Sequence, residues 1–338
     1  FAVAGRDRRA LAELPYADRR VAHVDDPATL AAAFANARAV LSCVPAAISE
    51  PVLAAALAAG AHYIDASADQ AAIHALYERH ESTARKAGKI ALLGAGVGCA
   101  LGDLAAGWAA AHIAGDGEPG GATDDIVRAA PIDRLAADRP LDEIAVSYVF
   151  DDLVLSPAGQ RAVFAGMRAH HLAWRRDRWE RCAPAAETRR INAGLAMGGE
   201  RDVASFPGGE VISLPRHIAS RSVQTFASTA RGKVAQTALR LAARALPLVP
   251  RAAELLAAYE PGAAEYARTR FAIVAQARRG FDAAQVIVRG ADPYATSARV
   301  AAWCARSPAA RAAGPVGMRA ATELFRPHPE RVALAGIA

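Results

Sequence analysis

A chain of 338 residues, 53% of them hydrophobic, can bury a large core and suggests about two domains. Its formal net charge of +6 reflects an arginine-rich, alanine-rich composition spread along the chain, in which only Lys86, Lys89 and Lys233 are lysines. The densest basic run, Arg175 to Arg181, is broken by Asp177 and Glu180 as a solvated face is, and no nucleic-acid-binding signature accompanies it, so the charge argues against a nucleic-acid partner.

The chain opens on Phe1-Ala2-Val3-Ala4-Gly5-Arg6-Asp7, an apolar run that breaks at a glycine and a basic residue before a helical stretch from Arg8 to Leu14. This is how the second strand of a dinucleotide-binding βαβ unit ends, where the chain meets the adenosine ribose. An acid there accepts from a free 2′-hydroxyl, whereas an arginine offers a fork of donors to a 2′-phosphate. Arg6 therefore points to NADP(H) over NAD(H); the bland alternative is a short strand with a surface arginine. The glycine-rich turn that cradles the pyrophosphate belongs roughly 20 residues upstream. Residue 1 is thus expected not to be the natural start, and the missing first strand to leave two strand edges unpaired.

From Arg19 to Gly115 short apolar runs alternate with alanine-rich helices, which argues for a parallel sheet covered on both faces. The expected strands are Val21 to Val24, Ala39 to Val44, His62 to Asp65 and Ile90 to Leu93. The expected helices follow Asp26-Pro27 and span Ile48 to Ala59 and Gln70 to Ala87. With the first strand restored, the sheet would be doubly wound with about six strands, binding its ligand at their carboxyl ends. Ile90 to Gly115 is the most membrane-like stretch, but Asp103 and its glycines make it read as strand, turn and helix, so no integral membrane segment is expected.

Gly115 to Gly121 reads as a linker, after which the class changes. Ile144, Val146, Tyr148 and Phe150 alternate as in a half-buried antiparallel strand. Further strands are expected at Val203 to Phe206, Val211 to Leu214, Ser222 to Phe226, Arg270 to Ala275 and Gln285 to Arg289. The last two flank a hairpin turn at Arg279 to Asp282. An amphipathic helix is expected over Lys233 to Leu246, and Asp292-Pro293 opens a final helix to about Arg306. The domains are then 1–117, an α/β Rossmann-type domain; 118–290, an α+β domain with an antiparallel sheet for substrate or for a homodimer; and 291–338, a helical segment returning to the first.

Cys43, Cys99, Cys182 and Cys304 lack the spacing of a zinc or redox site, and a reduced, cytoplasmic protein fits this pattern. The histidines show no ligand spacing either; His170 and His171 are adjacent and fall on different sides of a helix, so no metal is expected. Ser42, Cys43 and Val44, at a strand end, are candidates to line the nicotinamide half of a cofactor, although Cys43 also fits a small buried core residue. Asp65, Ser67 and Asp69 lie at the next strand end and are candidates for ribose hydroxyls or a proton donor, although Asp69 is better suited to cap the helix that begins at Gln70. Tyr148, Lys233, Arg216 and His217 are the second domain's candidate proton donors or anion binders; an alternating Tyr such as Tyr148 is also an ordinary core residue. The cofactor set is Gly5, Arg6, Asp25, Ser42, Cys43, Val44 and Asp65, and the catalytic set Asp65, Ser67 and Tyr148.

The order Gly5-Arg6, Val40 to Val44, Ala59 to Asp65, and Gly94-Ala95-Gly96-Val97-Gly98 with Gly102-Asp103, resembles the saccharopine dehydrogenase-like NADP-binding proteins. That group includes bacterial trans-acting enoyl reductases. Val211 to Arg216 and Arg289 to Tyr294 also resemble its second domain. The resemblance implies a Rossmann domain joined to an antiparallel-sheet domain, and NADP(H)-dependent hydride transfer to a C=C, C=O or C=N bond of a small or lipid-like substrate; the alternative is a non-catalytic NADP(H)-sensing or interaction module. The family's Asp-Ile-Thr-Gly-Glu stands here as Asp65-Ala66-Ser67-Ala68-Asp69, and the loop after Val44 is shorter than in the enoyl reductase branch.

Overall fold

The computed structural model describes residues 1–115, 134–168, 170–228, 260–306 and 316–325. The first half alternates strand and helix: β1 (Ala2–Gly5), α1 (Arg8–Glu13), β2 (Asp18–Val21), α2 (Pro27–Phe34), β3 (Ala39–Ser42), α3 (Ser49–Ala58), β4 (His62–Asp65), α4 (Gln70–Lys86), β5 (Ile90–Leu92) and α5 (Ala100–Ala114). Side-chain caps start three of these helices: Asp7 accepts from Arg9 N, Asp26 from Ala28 N ahead of Pro27, and Asp69 from Ala72 N. The parallel strands form two sheets, a β1–β2 pair and a four-stranded sheet in the order β14-β5-β4-β3, where β14 is Gly317–Arg319. No ladder joins β1 to β3, so the single sheet of about six strands is divided among the described residues.

The strand expected at Val21 to Val24 lies three residues earlier. Its register is set by β1, with Ala2 opposite Asp18 and Gly5 opposite Val21. Arg19 and Arg20 are tolerated there because Arg20 reaches past the strand to the Ala33 carbonyl at 2.7 Å and pairs with Asp18.

The second half is built on β6 (Glu143–Asp151), α6 (Pro157–Arg168), β7 (His171–Arg175), β8 (Arg178–Cys182), β9 (Thr188–Asn192), β10 (Glu200–Ser205), α7 (Glu210–His217), β11 (Ser222–Ser228), α8 (Ala263–Tyr266), β12 (Arg270–Arg279) and β13 (Asp282–Ala291). Its sheet runs β13-β12-β6-β11-β10-β9, with β7 pairing β11 and β8. The sheet is mixed and not purely antiparallel, because β6 and β11 run parallel. β6 is covered on both faces and not half-buried: Ile144, Val146 and Tyr148 enter the main core, Ala145 and Val149 a second cluster with Phe226 and Val274. His171 begins a strand, so the adjacent histidines are not on a helix, and the basic run forms the β7–β8 hairpin, turning at Arg176 and Asp177 with positive φ. The hairpin after Arg279 turns at Gly280 and Phe281.

The segment Val211 to Leu214 is helical, contrary to the strand expected from its apolar residues. Tertiary contacts override local propensity here. The helical spacing sets Ser213 and His217 one turn apart, and both reach the same oxygen of Asp103. Pro215 cannot donate to the Val211 carbonyl, which instead accepts from the Trp179 indole at 3.3 Å.

After β13, α9 (Pro293–Arg306) packs on β3 and β4, β14 adds to the parallel sheet beside β5, and α10 (Ala321–Leu324) packs on α5. The long apolar helix α5 is buried nearly all round between the two halves, against β12, β13, α7 and α10. No helix among the described residues is long and apolar enough to cross a membrane. The linker expected to Gly121, and Lys233 with the helix expected around it, lie largely or wholly outside the described residues.

Candidate active site at the strand ends

The carboxyl ends of β3 and β4 are laced together by backbone bonds, Ala66 N to Ser42 O at 3.2 Å, and the chain after β5 joins them through Ala95 N to Asp65 O at 2.7 Å. The following loop is tied to α9 by Val97 N donating to Ser297 Oγ at 3.0 Å. Parallel strands put all these ends on one side, where an open α/β sheet takes its ligand.

Asp65 is buried, at 2% exposure, and both its oxygens are engaged. Tyr63 donates its hydroxyl to Oδ2 and Ser67 its backbone N–H to Oδ1, each at 2.7 Å. Burial raises the carboxyl pKa, and the two hydrogen bonds only partly oppose this. Ser67 is half-buried, and Asp69 serves as the cap of α4. Ser42 is buried, with its hydroxyl beside the Tyr63 phenol. Cys43 is exposed and not a core residue; partial desolvation and then the Asp65 charge raise its thiol pKa. Val44 is half-buried beside it.

At the end of β1, Gly5 is half-buried and Arg6 exposed, immediately before the α1 cap. Among the described residues, Arg6, Arg8 and Arg9 make no side-chain hydrogen bond or ion pair, so three guanidinium groups stand available at one helix start. Asp25 is exposed beside Asp26, which takes the capping role. This donor set suits a dinucleotide with a 2′-phosphate: three uncommitted guanidinium groups at one helix start, and a buried hydroxyl at the Ser42 strand end.

Tyr148 is not brought to this crevice. It is buried in the core and donates its hydroxyl to Glu210, whose other oxygen has no partner. Burial pushes the Glu210 carboxyl up to about 8, against the opposing Tyr148 bond. Nearby, Asp103 is 1% exposed and accepts from Ser213 Oγ at 2.9 Å, His217 Nε2 at 3.0 Å and Thr322 N at 2.8 Å. Burial opposes charge in this pair, but the mutual attraction prevails: Asp103 is held below and His217 above its ordinary value. Arg216 pairs with Glu78 at 2.9 Å and lies over the Tyr77 ring at 4.4 Å, so it is engaged too.

Sequence reasoning passed over Tyr63, Ser297 and Glu210. Only Tyr63 left a signal, since residues two apart on a strand share a face and place Tyr63 beside Asp65. Among the described residues, no group of three His, Cys, Asp or Glu side chains could hold a metal ion.

Residues 2–92 match the family model of the saccharopine dehydrogenase NADP binding domain. No curated protein matches the chain by sequence. In fold, the chain is similar to apo saccharopine dehydrogenase (L-Glu forming) from Saccharomyces cerevisiae, with 13% identity and a TM-score of 0.56 over 98% of this chain and 91% of that one. DAP dehydrogenase from C. glutamicum, in complex with DAP, aligns with 12% identity and a TM-score of 0.41 over 96% of this chain and 93% of that one. Residues 2–92 thus belong to the saccharopine dehydrogenase-like NADP-binding family, with NADP as the cofactor, in a chain that shares the overall fold of saccharopine dehydrogenase.

Proposed function

We propose that the protein is an NADP(H)-dependent oxidoreductase that transfers a hydride between the nicotinamide and a C=C, C=O or C=N bond of a small or lipid-like substrate. The observation that supports this reading is the buried Ser42 hydroxyl beside Asp65 and Ser67 at the ends of the parallel strands β3 and β4, with Arg6, at the end of the parallel strand β1, left without a side-chain partner among the described residues. NADPH supplies the hydride when bound. In this reading Arg6 clamps the 2′-phosphate with Gly5 leaving room beside it, Ser42, Cys43 and Val44 line the nicotinamide half, and Asp65 fixes the loop through Ser67. Asp25 would face the ribose side, and Tyr148 acts from the core through Glu210 and not on the substrate.

A second reading, a non-catalytic NADP(H)-sensing module, is favoured by one observation: Asp65, the predicted acid at the crevice, spends both oxygens inside the protein. Fluorescence titration of the full chain with NADPH and NADH, for wild type and Arg6→Ala, tests the cofactor site. A preference for NADPH that disappears in the variant is expected, and equal binding of both nucleotides would sink the assignment. Turnover of NADPH with an acceptor panel of enones, ketones and imines decides between enzyme and sensor.

A further inference from the structure

We propose that the groove between α4 and the β7–β8 hairpin is a subsite for an anionic group of the substrate, a carboxylate or a phosphate; this rests on the crevice being a substrate site as proposed above. The groove is a cavity of about 390 Å³ lined by Gln70, Ala71, His74, His170, Leu172 and Arg181, drawn from three separate stretches of the chain. Its walls are fixed. The buried Gln70 amide donates to Leu172 O at 3.0 Å and Gly208 O at 2.9 Å, and accepts from Leu172 N at 2.7 Å, tying the first turn of α4 to the second half.

Aromatic rings support the same wall. Trp179 meets His74 edge-on at 5.0 Å and Trp174 at 5.1 Å, with the Arg216 guanidinium 5.8 Å over its ring. Trp179 and Arg181 are two apart on β8 and share its face, whereas Glu180 points to the other side and bonds Arg178 at 3.0 Å. Arg175 and Arg216 likewise have carboxylate partners, Glu187 and Glu78. Among the described residues, the side chains of Arg181, His74 and His170 make no hydrogen bond or ion pair, and the lining contains no acid. Three nitrogen-bearing groups left unpaired around a rigid, acid-free groove suit an anion, which a guanidinium grips with two parallel bonds.

The groove adjoins the crevice. Gln70 directly follows Asp69, the end of the Asp65 to Asp69 loop, and His74 lies five residues beyond that cap, ~7 Å along the helix axis. A substrate whose reacting bond sits at the strand ends would therefore carry its charge several bonds away.

The test uses the full chain and tryptophan fluorescence, because Trp179 borders the groove. Inorganic phosphate and succinate are titrated at ionic strength held constant with chloride, into wild type, Arg181→Ala, Arg181→Lys and the hairpin-turn control Arg176→Ala. A saturable signal with one anion is expected, weakened roughly 10-fold or more in Arg181→Ala as charge-assisted bonds are lost, partly restored by lysine and unchanged in the control. Saturation by phosphate alone assigns a phosphate group, and by succinate alone a carboxylate. No saturation by either, or equal affinity in Arg181→Ala, overturns the subsite. NADPH affinity is measured on the same samples: NADPH binding without anion binding removes the subsite alone, and anion binding without NADPH binding removes the cofactor reading alone.

Discussion

Arg6 and Asp65 differ in how far the fold commits each side chain. Arg6 is exposed and makes no side-chain hydrogen bond or ion pair among the described residues, which leaves it open to a ligand. If it clamps the 2′-phosphate, Arg6→Ala should weaken NADPH about 10–100-fold and leave NADH nearly unchanged, the size of a lost hydrogen bond to a charged group. Asp65 is buried and fully engaged, so its contribution is internal. Tyr63→Phe should cost about 1.5–3 kcal/mol in urea unfolding, because the phenol's hydrogen bond to a buried carboxyl is lost. At this scale the sequence was readable where the chemistry is local. Asp26 before Pro27, Asp69 before Gln70 and Asp292 before Pro293 all bond the backbone of the helix that follows, as N-cap chemistry requires. His217 was not readable, since its partner Asp103 stands 114 positions away in the chain.

Among elements, α5 carries the join between the halves. A Cβ added at Gly102 would run into Glu210 and approach Tyr148 Oη to 2.6 Å, and one at Gly107 would lie 2.5 Å from Thr322 Cγ2. Thr322 cannot retreat easily, because its N–H donates to Asp103 Oδ1 at 2.8 Å and its hydroxyl to Asp103 O at 2.9 Å. Gly107→Ala should therefore destabilise despite the ~1 kcal/mol that alanine gains in a helix. Overpacking costs about 1–3 kcal/mol, so a lower thermal midpoint is expected, restored in part by Thr322→Ala. An unchanged or raised midpoint would show that α10 yields to α5. The strand expected at Val211 to Leu214 fails at this scale as well: its apolar residues fit either element, and packing against α4 and α5 selects the helix.

For the molecule as a whole, the buried acid at the join makes stability depend on pH. Glu210 titrates from 4.5 when unfolded and at about 8 when folded, so the folded state holds the proton more tightly. Its stabilisation is full below about pH 4.5 and declines as the pH rises to about 8, a loss on the order of a few kcal/mol. His217, also raised, acts in the same direction above 6.5, whereas Asp103, lowered, loses its contribution only in acid. Urea midpoints measured from pH 5 to 8.5 should fall for wild type and fall distinctly less for Glu210→Gln. Equal slopes would mean that Glu210 is ionised in the folded protein.

By itself the sequence determined the order of elements in the first half, the helix starts and the strand end bearing Arg6. These follow from hydrophobic period, caps and turn residues, which act over a few positions. Only the tertiary structure decided that β6 and β11 run parallel, that Tyr148 faces Glu210 inside the core, and that Gln70, His74 and Arg181 share one groove. Such pairings join residues tens to more than a hundred positions apart, and they are fixed by the burial and hydrogen bonding of whole elements against one another, for which no local stretch carries a signal.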